Sequence, residues 1–282
     1  MKTVKVPEFV TTSLVDILRP LYLAFKDIKD GEKVCFDLSS VSFASPLFVL
    51  PLVAYLKSVG GDVFGSSSKL QSYFDCIHFP AGVDSVSGFE ALSQSNKTYV
   101  PISILKKSAG AGRDRLETLF SNMVLKVLGT SKASSAVYYP ISELVTNIIE
   151  HSKVEEGYMF GQYYPKKNYL DICIVDRGRG LAGSYSDELG LAFSDTQAIE
   201  EVMKGHSTKV NTERGFGVRT SKRVVCEAMG GEFMLLSGSA VLIVSKGKQQ
   251  LVNLPGFHWQ GVIVAYRIPK PQGSIDITPY LE

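Results

Sequence analysis

The sequence of 282 residues lacks paired cysteines, a long apolar segment and an excess of charge of either sign. Its four cysteines are widely spaced and form no CxxC pair, as expected of reduced thiols in the cytosol. The N-terminus has no apolar block of signal-peptide length. The longest apolar stretch, 41–56, contains two prolines and is shorter than the ~20 residues of a spanning helix. We therefore expect a cytoplasmic protein without a membrane segment.

The charges are nearly balanced, with 30 Lys and Arg against 28 Asp and Glu, and a net charge of +2. No large basic field exists that could gather phosphate backbones, so we do not expect nucleic acid as a partner. A chain of this length buries roughly 70 to 75% of its unfolded surface without help from disulfides or metals. A globular protein of one or two domains is therefore predicted.

The first 95 residues have the pattern of a compact α/β domain. An apolar run over 33–38 predicts a strand, and apolar residues at helical spacing over 47–57 predict a helix that stops at two glycines. A second strand begins at 62, and an earlier helix is expected over 12–25. Residues 96–112 are rich in Ser, Asn, Lys and Gly, so we predict a linker there.

The remainder, 113–282, predicts helices on one face of a mostly antiparallel sheet. The expected elements are helices over 113–129 and 133–152, strands over 157–164 and 168–175, a helix over 216–229, and strands near 232–236, 239–245 and 261–268. The polar, glycine-rich stretch over 176–214 is far longer than an ordinary connection. Such a stretch is typical of a functional lid or a disordered loop.

A polar stripe lies on the second helix of this region. Glu143, Asn147 and His151 follow at a spacing of four, which places them on one side of a helix, opposite Leu144 and Ile148. A polar stripe is most often a solvated face. An asparagine inside a helix is unfavourable, however, unless its amide binds something. Glu143 and Asn147 are therefore candidate site residues, with the solvated face as the alternative.

A carboxylate and two glycines follow the strand predicted over 168–175. The apolar alternation ends at Asp176, and Gly178 and Gly180 come next. A carboxylate accepts a hydrogen bond from an exocyclic amine, and a glycine backbone lets a flat ring approach closely. This combination suits a purine pocket. A plain turn after the strand is the alternative.

The same two glycines, with Gly183, match the GxGxxG pattern of dinucleotide-binding proteins. That pattern requires a helix that opens at once within a βαβ unit. Residues 183–190 are polar and broken, so we expect no such helix. An NAD-dependent oxidoreductase is kept only as a lesser alternative.

Glycines, hydroxyls and a cation precede the helix predicted over 216–229. Free N–H groups and the dipole at a helix start attract anions, so this segment suits a triphosphate. Turn or cap roles for the hydroxyls, and a solvated surface position for the lysine, are the alternatives. The residues concerned are Ser207, Thr208, Lys209, Gly215 and Gly217.

These three groups, in this order, resemble the ATP-binding domain of the GHKL superfamily, the fold shared by DNA gyrase, histidine kinases and anti-sigma-factor kinases. The resemblance covers 113–269. It implies that Asn147 coordinates Mg²⁺, that Glu143 orients or deprotonates the attacking hydroxyl or water, and that Asp176 receives the adenine amine. The glycines are implied to admit the base at Gly178 and Gly180, and the phosphates at Gly215 and Gly217.

The sequence departs from this family at two points. The family often has Gly-Thr in its last strand, whereas Gly261 is followed here by Val262, which implies weaker adenine binding. No phospho-accepting histidine lies in an upstream two-helix hairpin, so a conventional histidine kinase is not implied.

Residues 36–47 resemble the strand and loop of a STAS domain, the fold of anti-sigma-factor antagonists. Ser45-Pro46-Leu47 stands where that family carries its phosphorylatable hydroxyl, so we expect a docking or structural role.

Together these observations predict a two-domain α/β protein, with a STAS-like domain over 1–95 and a GHKL α/β sandwich over 113–282. We expect a regulator that binds ATP and Mg²⁺ beneath a lid over 181–213, with ATPase or protein Ser/Thr kinase activity. A non-catalytic, nucleotide-gated interaction module is the alternative. A protein partner or substrate is expected, and a homodimer is left open.

Overall fold

The structure, a computed structural model, describes residues 1–8, 13–94, 96–206, 208 and 217–281. Within these ranges the chain is a mixed α/β protein. Its strands are β1 (Lys2–Lys5), β2 (Val34–Asp37), β3 (Gly61–Phe64), β4 (Tyr99–Lys106), β5 (Glu156–Tyr164), β6 (Tyr169–Asp176), β7 (Glu232–Gly238), β8 (Ala240–Ser245), β9 (Lys248–Asn253) and β10 (Trp259–Pro269). Its helices are α1 (Leu14–Phe25), α2 (Pro46–Val59), α3 (Ser68–Ile77), α4 (Val86–Leu92), α5 (Ala111–Leu128), α6 (Ser134–His151), α7 (Gly180–Leu189), α8 (Asp195–Lys204) and α9 (Gly217–Arg223).

The N-terminal unit is a small parallel sheet in the order β1-β2-β3 with helices α1 and α2 beside it. The strand predicted over 33–38 and the helix predicted over 47–57 are confirmed as β2 and α2. Strand β1 was not predicted, because it has only four residues and two of them are lysines. Helices α3 and α4 were also missed. They are short, and each begins at a serine whose hydroxyl caps the first turn.

The larger sheet has seven strands in the order β4-β5-β6-β10-β7-β8-β9, and neighbouring strands within it are antiparallel. Strand β10 lies at its centre, paired with β6 on one side and β7 on the other. Helices α5 and α6 pack on one face, here called the front face. The predicted antiparallel sheet with helices on it is therefore confirmed, although β9 was missed because it is mostly exposed and polar.

The linker predicted over 96–112 is wrong as a description of this segment. Strand β4 lies within it, pairs with β5 and buries every residue except its last. The single-turn helix over 107–109 and the start of α5 fill the rest. The polar flanks dominated the composition, whereas the apolar piece between them is a strand of the large sheet.

The back face of the large sheet is covered by the N-terminal unit. Helix α2 packs across β5 and β6, and α1 packs against β7 and β10. Glu232 on β7 accepts a hydrogen bond from the backbone N–H of Leu14 at 3.1 Å, and Phe25 meets the ring of Trp259 edge-on at 5.5 Å. The prediction of helices on one face was therefore incomplete, since both faces of this sheet are buried.

The stretch over 176–214, predicted to be a long lid or loop, contains two helices. Helix α7 begins at Gly180, and α8 begins with a capping box between Ser194 and Gln197. The Asp195 carboxylate accepts hydrogen bonds from the backbone and hydroxyl of Ser239 at 2.8 and 2.9 Å, which ties α8 to the β7–β8 turn. The described part of the predicted lid, 181–206 and 208, therefore consists largely of two helices, and the rest of 181–213 lies outside the described residues.

The helix predicted over 216–229 is observed as α9, which runs directly into a π-helical turn over Val224–Ala228. All four cysteines are free, with Cys173 buried and Cys76 exposed. Among the described residues, no helix combines the length and the apolar character that crossing a bilayer requires.

Candidate functional site

A cavity of about 250 Å³ lies between the front face of the large sheet and helices α6, α7 and α9; we call it the front cavity. Its floor is apolar and comes from three neighbouring strands, through Ile174 on β6, Val262 and Val264 on β10, and Leu235 on β7. Its walls carry the polar groups. A flat apolar floor with polar walls is the usual form of a small-molecule site.

The polar stripe of α6 forms one wall. Glu143, Asn147 and His151 all line the front cavity. The opposite side of the helix is buried in the core, through residues such as Ile141 and Val145. The stripe therefore faces the cavity because the apolar side of the same helix is held in the core.

The side-chain amide of Asn147 has unused hydrogen-bonding capacity. Its Nδ2 atom is buried and has no hydrogen-bond partner within the described part of the chain. A Cβ placed on Gly217 would lie 3.2 Å from this atom and 2.7 Å from Oε2 of Glu143. The backbone of α9 thus comes close to both side chains only because this position is glycine. An unsatisfied buried amide is costly in a folded protein and points to a ligand.

Asp176, at the end of β6, opens onto the same cavity as Asn147. Burial raises the pKa of its carboxyl to about 7, against which the backbone N–H groups of Gly178 and Val262 act. The N–H of Gly178 donates to Oδ1 at 2.8 Å. The backbone carbonyl of Asp176 accepts from the Trp259 indole at 3.1 Å. This carboxyl is therefore held in place and desolvated, and it gains from any ligand that donates a hydrogen bond.

The two glycines after Asp176 have different surroundings. Gly180 lines the front cavity with a φ of +70°, a conformation that favours glycine. A Cβ on Gly178 would lie 2.2 Å from the carbonyl oxygen of Ser152, at the end of α6. Gly178 is not among the residues that line the cavity. Its expected role in admitting a base is therefore replaced by close packing against α6 and by its hydrogen bond to Asp176.

Arg179 was not predicted as a site residue, yet it fixes the wall of the cavity. Its Nε donates to the carbonyl oxygen of His151 at 2.7 Å, at the C-terminal end of α6. Its two other nitrogens pair with Asp187 at 2.9 Å and Glu188 at 2.7 Å, both on α7. One side chain thus joins two walls. No pattern in the sequence indicates this role, because it depends on where α7 lies.

The expectation that no helix follows the GxGxxG pattern is wrong, since α7 opens at Gly180. The pattern still does not form a dinucleotide-binding unit. Strand β6 is antiparallel to both of its neighbours, β5 and β10, whereas that unit requires a parallel βαβ crossover.

The third group of predicted residues is described only in part. Thr208 and Gly217 line the front cavity, while Ser207, Lys209 and Gly215 lie outside the described residues. The hydroxyl of Thr208 is 3.4 Å from Nδ1 of His151. Arg219, two residues into α9, also lines the cavity and donates to the carbonyl oxygen of Lys204 at 3.1 Å.

The cavity offers few ligands for a metal. Within the described ranges, no group of three or more His, Cys, Asp or Glu side chains is arranged to hold a metal ion. Mg²⁺ commonly keeps several waters and takes only one or two protein oxygens together with phosphate oxygens. The side-chain oxygens of Asn147 and Glu143 are ligands of that kind. The unpaired Nδ2 of Asn147 is a hydrogen-bond donor, which suits a phosphate oxygen and not the metal itself.

Val262, which stands where the GHKL family often has a threonine, lines the cavity. Val262 pairs with Asp176 and with Ser237 in the sheet and contributes to the apolar floor. The hydroxyl of Ser237 is already engaged: it donates to the carbonyl oxygen of Gly261 and accepts from the N–H of Leu181, both at 3.0 Å.

Comparison with protein-family models, curated proteins and solved structures finds no match to this chain.

Proposed function

We propose that the chain binds Mg-ATP in the front cavity and is a regulator of the GHKL type, with ATPase or protein Ser/Thr kinase activity. One observation carries this proposal. Glu143 and Asn147 on α6, and Asp176 at the end of β6, open onto one cavity. The side chains that we propose for the adenine end and for the phosphate end of the nucleotide therefore line the same cavity.

The adenine end would be the part of the cavity near Asp176. The apolar floor offers a face for the flat ring, and the carboxylate accepts the hydrogen bond of the exocyclic amine. Binding that amine favours the ionised carboxylate, whose pKa burial raises to about 7. We therefore expect nucleotide affinity to rise with pH through about 7, where half of the carboxyl is ionised, and to level off roughly one pH unit higher.

The phosphate end would lie between α6 and α9. Asn147 and the phosphates would hold Mg²⁺, which neutralises phosphate charge when bound. Glu143 would accept the proton of the attacking water or hydroxyl. Gly217 lets the backbone of α9 approach Glu143 and Asn147, and Arg219 supplies a positive charge at the cavity wall.

The N-terminal unit would be a STAS-like module that acts by docking. Ser45 at the start of α2 is fully buried, so its hydroxyl is not accessible to a kinase. The unit instead covers the back face of the large sheet through α1 and α2. A protein partner or substrate remains part of this proposal.

Steady-state phosphate release separates catalysis from binding alone. We expect the intact chain to release phosphate from Mg-ATP, and Glu143→Gln to lose at least a hundredfold in rate while retaining affinity, as expected when a general base is removed. Glu90→Gln on α4, outside the front cavity, is the matched control. Absence of turnover in the parent protein, with ATP still bound, would leave the nucleotide-gated module.

A further inference from the structure

A second recess lies on the opposite side of the β6 end, where the large sheet meets the N-terminal unit. Because side chains alternate along a strand, Asp176 faces the front cavity and Arg177 faces the back. We call this site the Arg177 recess. It is lined by Asp30, Gly31, Ser58, Val59, Arg177 and Gln260.

Arg177 is buried without the hydrogen bonds that a guanidinium normally makes. Its side chain is only 8% exposed, and its Nε has no hydrogen-bond partner within the described residues. Burial lowers the pKa of Arg177. A buried charge is costly unless it is paired and hydrogen-bonded, and among the described residues no carboxylate is hydrogen-bonded to this guanidinium.

The nearest carboxylate does not supply that partner. Asp30 lies 3.7 Å from Nη2 of Arg177, which is beyond hydrogen-bond distance, and its side chain is 66% exposed. Two aromatic rings hold the guanidinium instead, with Tyr55 at 5.0 Å and Trp259 at 4.9 Å from its central carbon. These rings fix the plane of the guanidinium and leave its edge as the binding group.

The β10 strand shapes the other side of the recess. Its register shifts between Trp259 and Val262, which is a bulge that contains Gln260 and Gly261. A bulge redirects side chains at the point where it occurs. Gln260 thereby lines the recess with an amide, and Ser58 on α2 adds a hydroxyl.

We propose that the Arg177 recess binds a small anion through a carboxylate or phosphate group. The guanidinium edge takes two oxygens of the anion, as arginine does with both groups. Asp30 competes with the anion for the guanidinium of Arg177, and its exposed side chain turns outward when the ligand enters. This proposal does not depend on nucleotide binding in the front cavity.

The single tryptophan of the chain provides the readout. Trp259 is the one Trp in the sequence, and the centre of its ring lies 4.9 Å from the central guanidinium carbon of Arg177. The full-length protein is titrated with sodium phosphate and, separately, with sodium acetate, with chloride replaced to keep ionic strength constant. We expect a saturable change of Trp fluorescence in at least one series, and the series that responds identifies the recognised group.

Two variants test the assignment. Asp30→Asn removes a negative charge about 4 Å from the site, which in water corresponds to roughly a fivefold change in affinity. We expect its half-saturation concentration to fall about fivefold, whereas Arg177→Gln loses the response and Glu90→Gln matches the parent. If Arg177→Gln fails to fold, Asp30→Asn still decides the question.

The proposal is overturned by any of three results. These are no saturable response of the parent protein to either anion, an unchanged response in Arg177→Gln, or a half-saturation concentration of Asp30→Asn equal to that of the parent.

Discussion

Replacing Asp176 by asparagine should make the unliganded protein more stable at neutral pH while it weakens nucleotide binding. Burial in the folded protein raises the pKa of this carboxyl to about 7, from an ordinary value of 3.8. The protonated form is therefore favoured by folding. The contribution to the unfolding free energy is fully present below pH 4, where the carboxyl is protonated in the folded and the unfolded chain. It is lost as the pH rises through 7, where the folded chain must also ionise this carboxyl.

The size of the effect follows from the shift. Each pKa unit corresponds to 1.36 kcal/mol, so the whole shift corresponds to about 4 kcal/mol. Between pH 5 and pH 8 about 3 kcal/mol of this is lost. Asparagine has nearly the same shape and carries no charge, so it escapes the loss. The oxygen of its amide can still accept the N–H of Gly178.

The assay is urea denaturation of the parent and of Asp176→Asn at pH 5 and pH 8. We expect the difference in unfolding free energy to change by about 3 kcal/mol in favour of the variant as the pH rises. Asp62→Asn, on the exposed strand β3, is the matched control and should show a much smaller change. A difference for Asp176→Asn that is the same at both pH values would refute a desolvated carboxyl in the cavity.

Two further predictions concern a close backbone approach and a buried ion pair in the large sheet. Gly261→Ala should destabilise the fold by more than about 2 kcal/mol in urea denaturation, because the new Cβ would lie 2.3 Å from the carbonyl oxygen of Asp176 at a φ of +107°. Gly190→Ala, with a similar φ sign but open space, should cost only about 1 kcal/mol, and equal costs would contradict the close approach. Arg267→Met leaves the buried carboxylate of Asp171 without its paired hydrogen bonds of 2.7 and 2.9 Å and should cost about 3 to 5 kcal/mol. A matched loss in the double variant with Asp171→Leu would contradict that explanation.

The sequence predicted the elements whose periodicity is strong. The stripe on α6 and the strand that ends at Asp176 were found because apolar residues alternate with polar ones at regular spacing, and both carry groups that line the front cavity. Short elements with local caps, such as α3 and α4, were missed. Their formation depends on a capping serine and on packing partners that are distant in sequence.

The covering of the back face was also missed, although the strands carry evidence of it. Ile263 and Val264 are neighbours on β10, point to opposite faces, and are both buried. Apolar residues at consecutive strand positions indicate burial on both faces. The Arg177 recess could not be predicted in this way, because it forms only where two distant parts of the chain meet.

Calorimetric titration with a non-hydrolysable ATP analogue tests the central claim most directly. We expect the parent protein to bind it more tightly with Mg²⁺ than with EDTA. Asn147→Ala should lose most of that difference, and Asp176→Asn should lose at least tenfold in affinity under both conditions. Asn253→Ala, at an exposed position of β9, should match the parent. Failure of the parent to bind the analogue, or unchanged binding in both cavity variants, would contradict a nucleotide site in the front cavity.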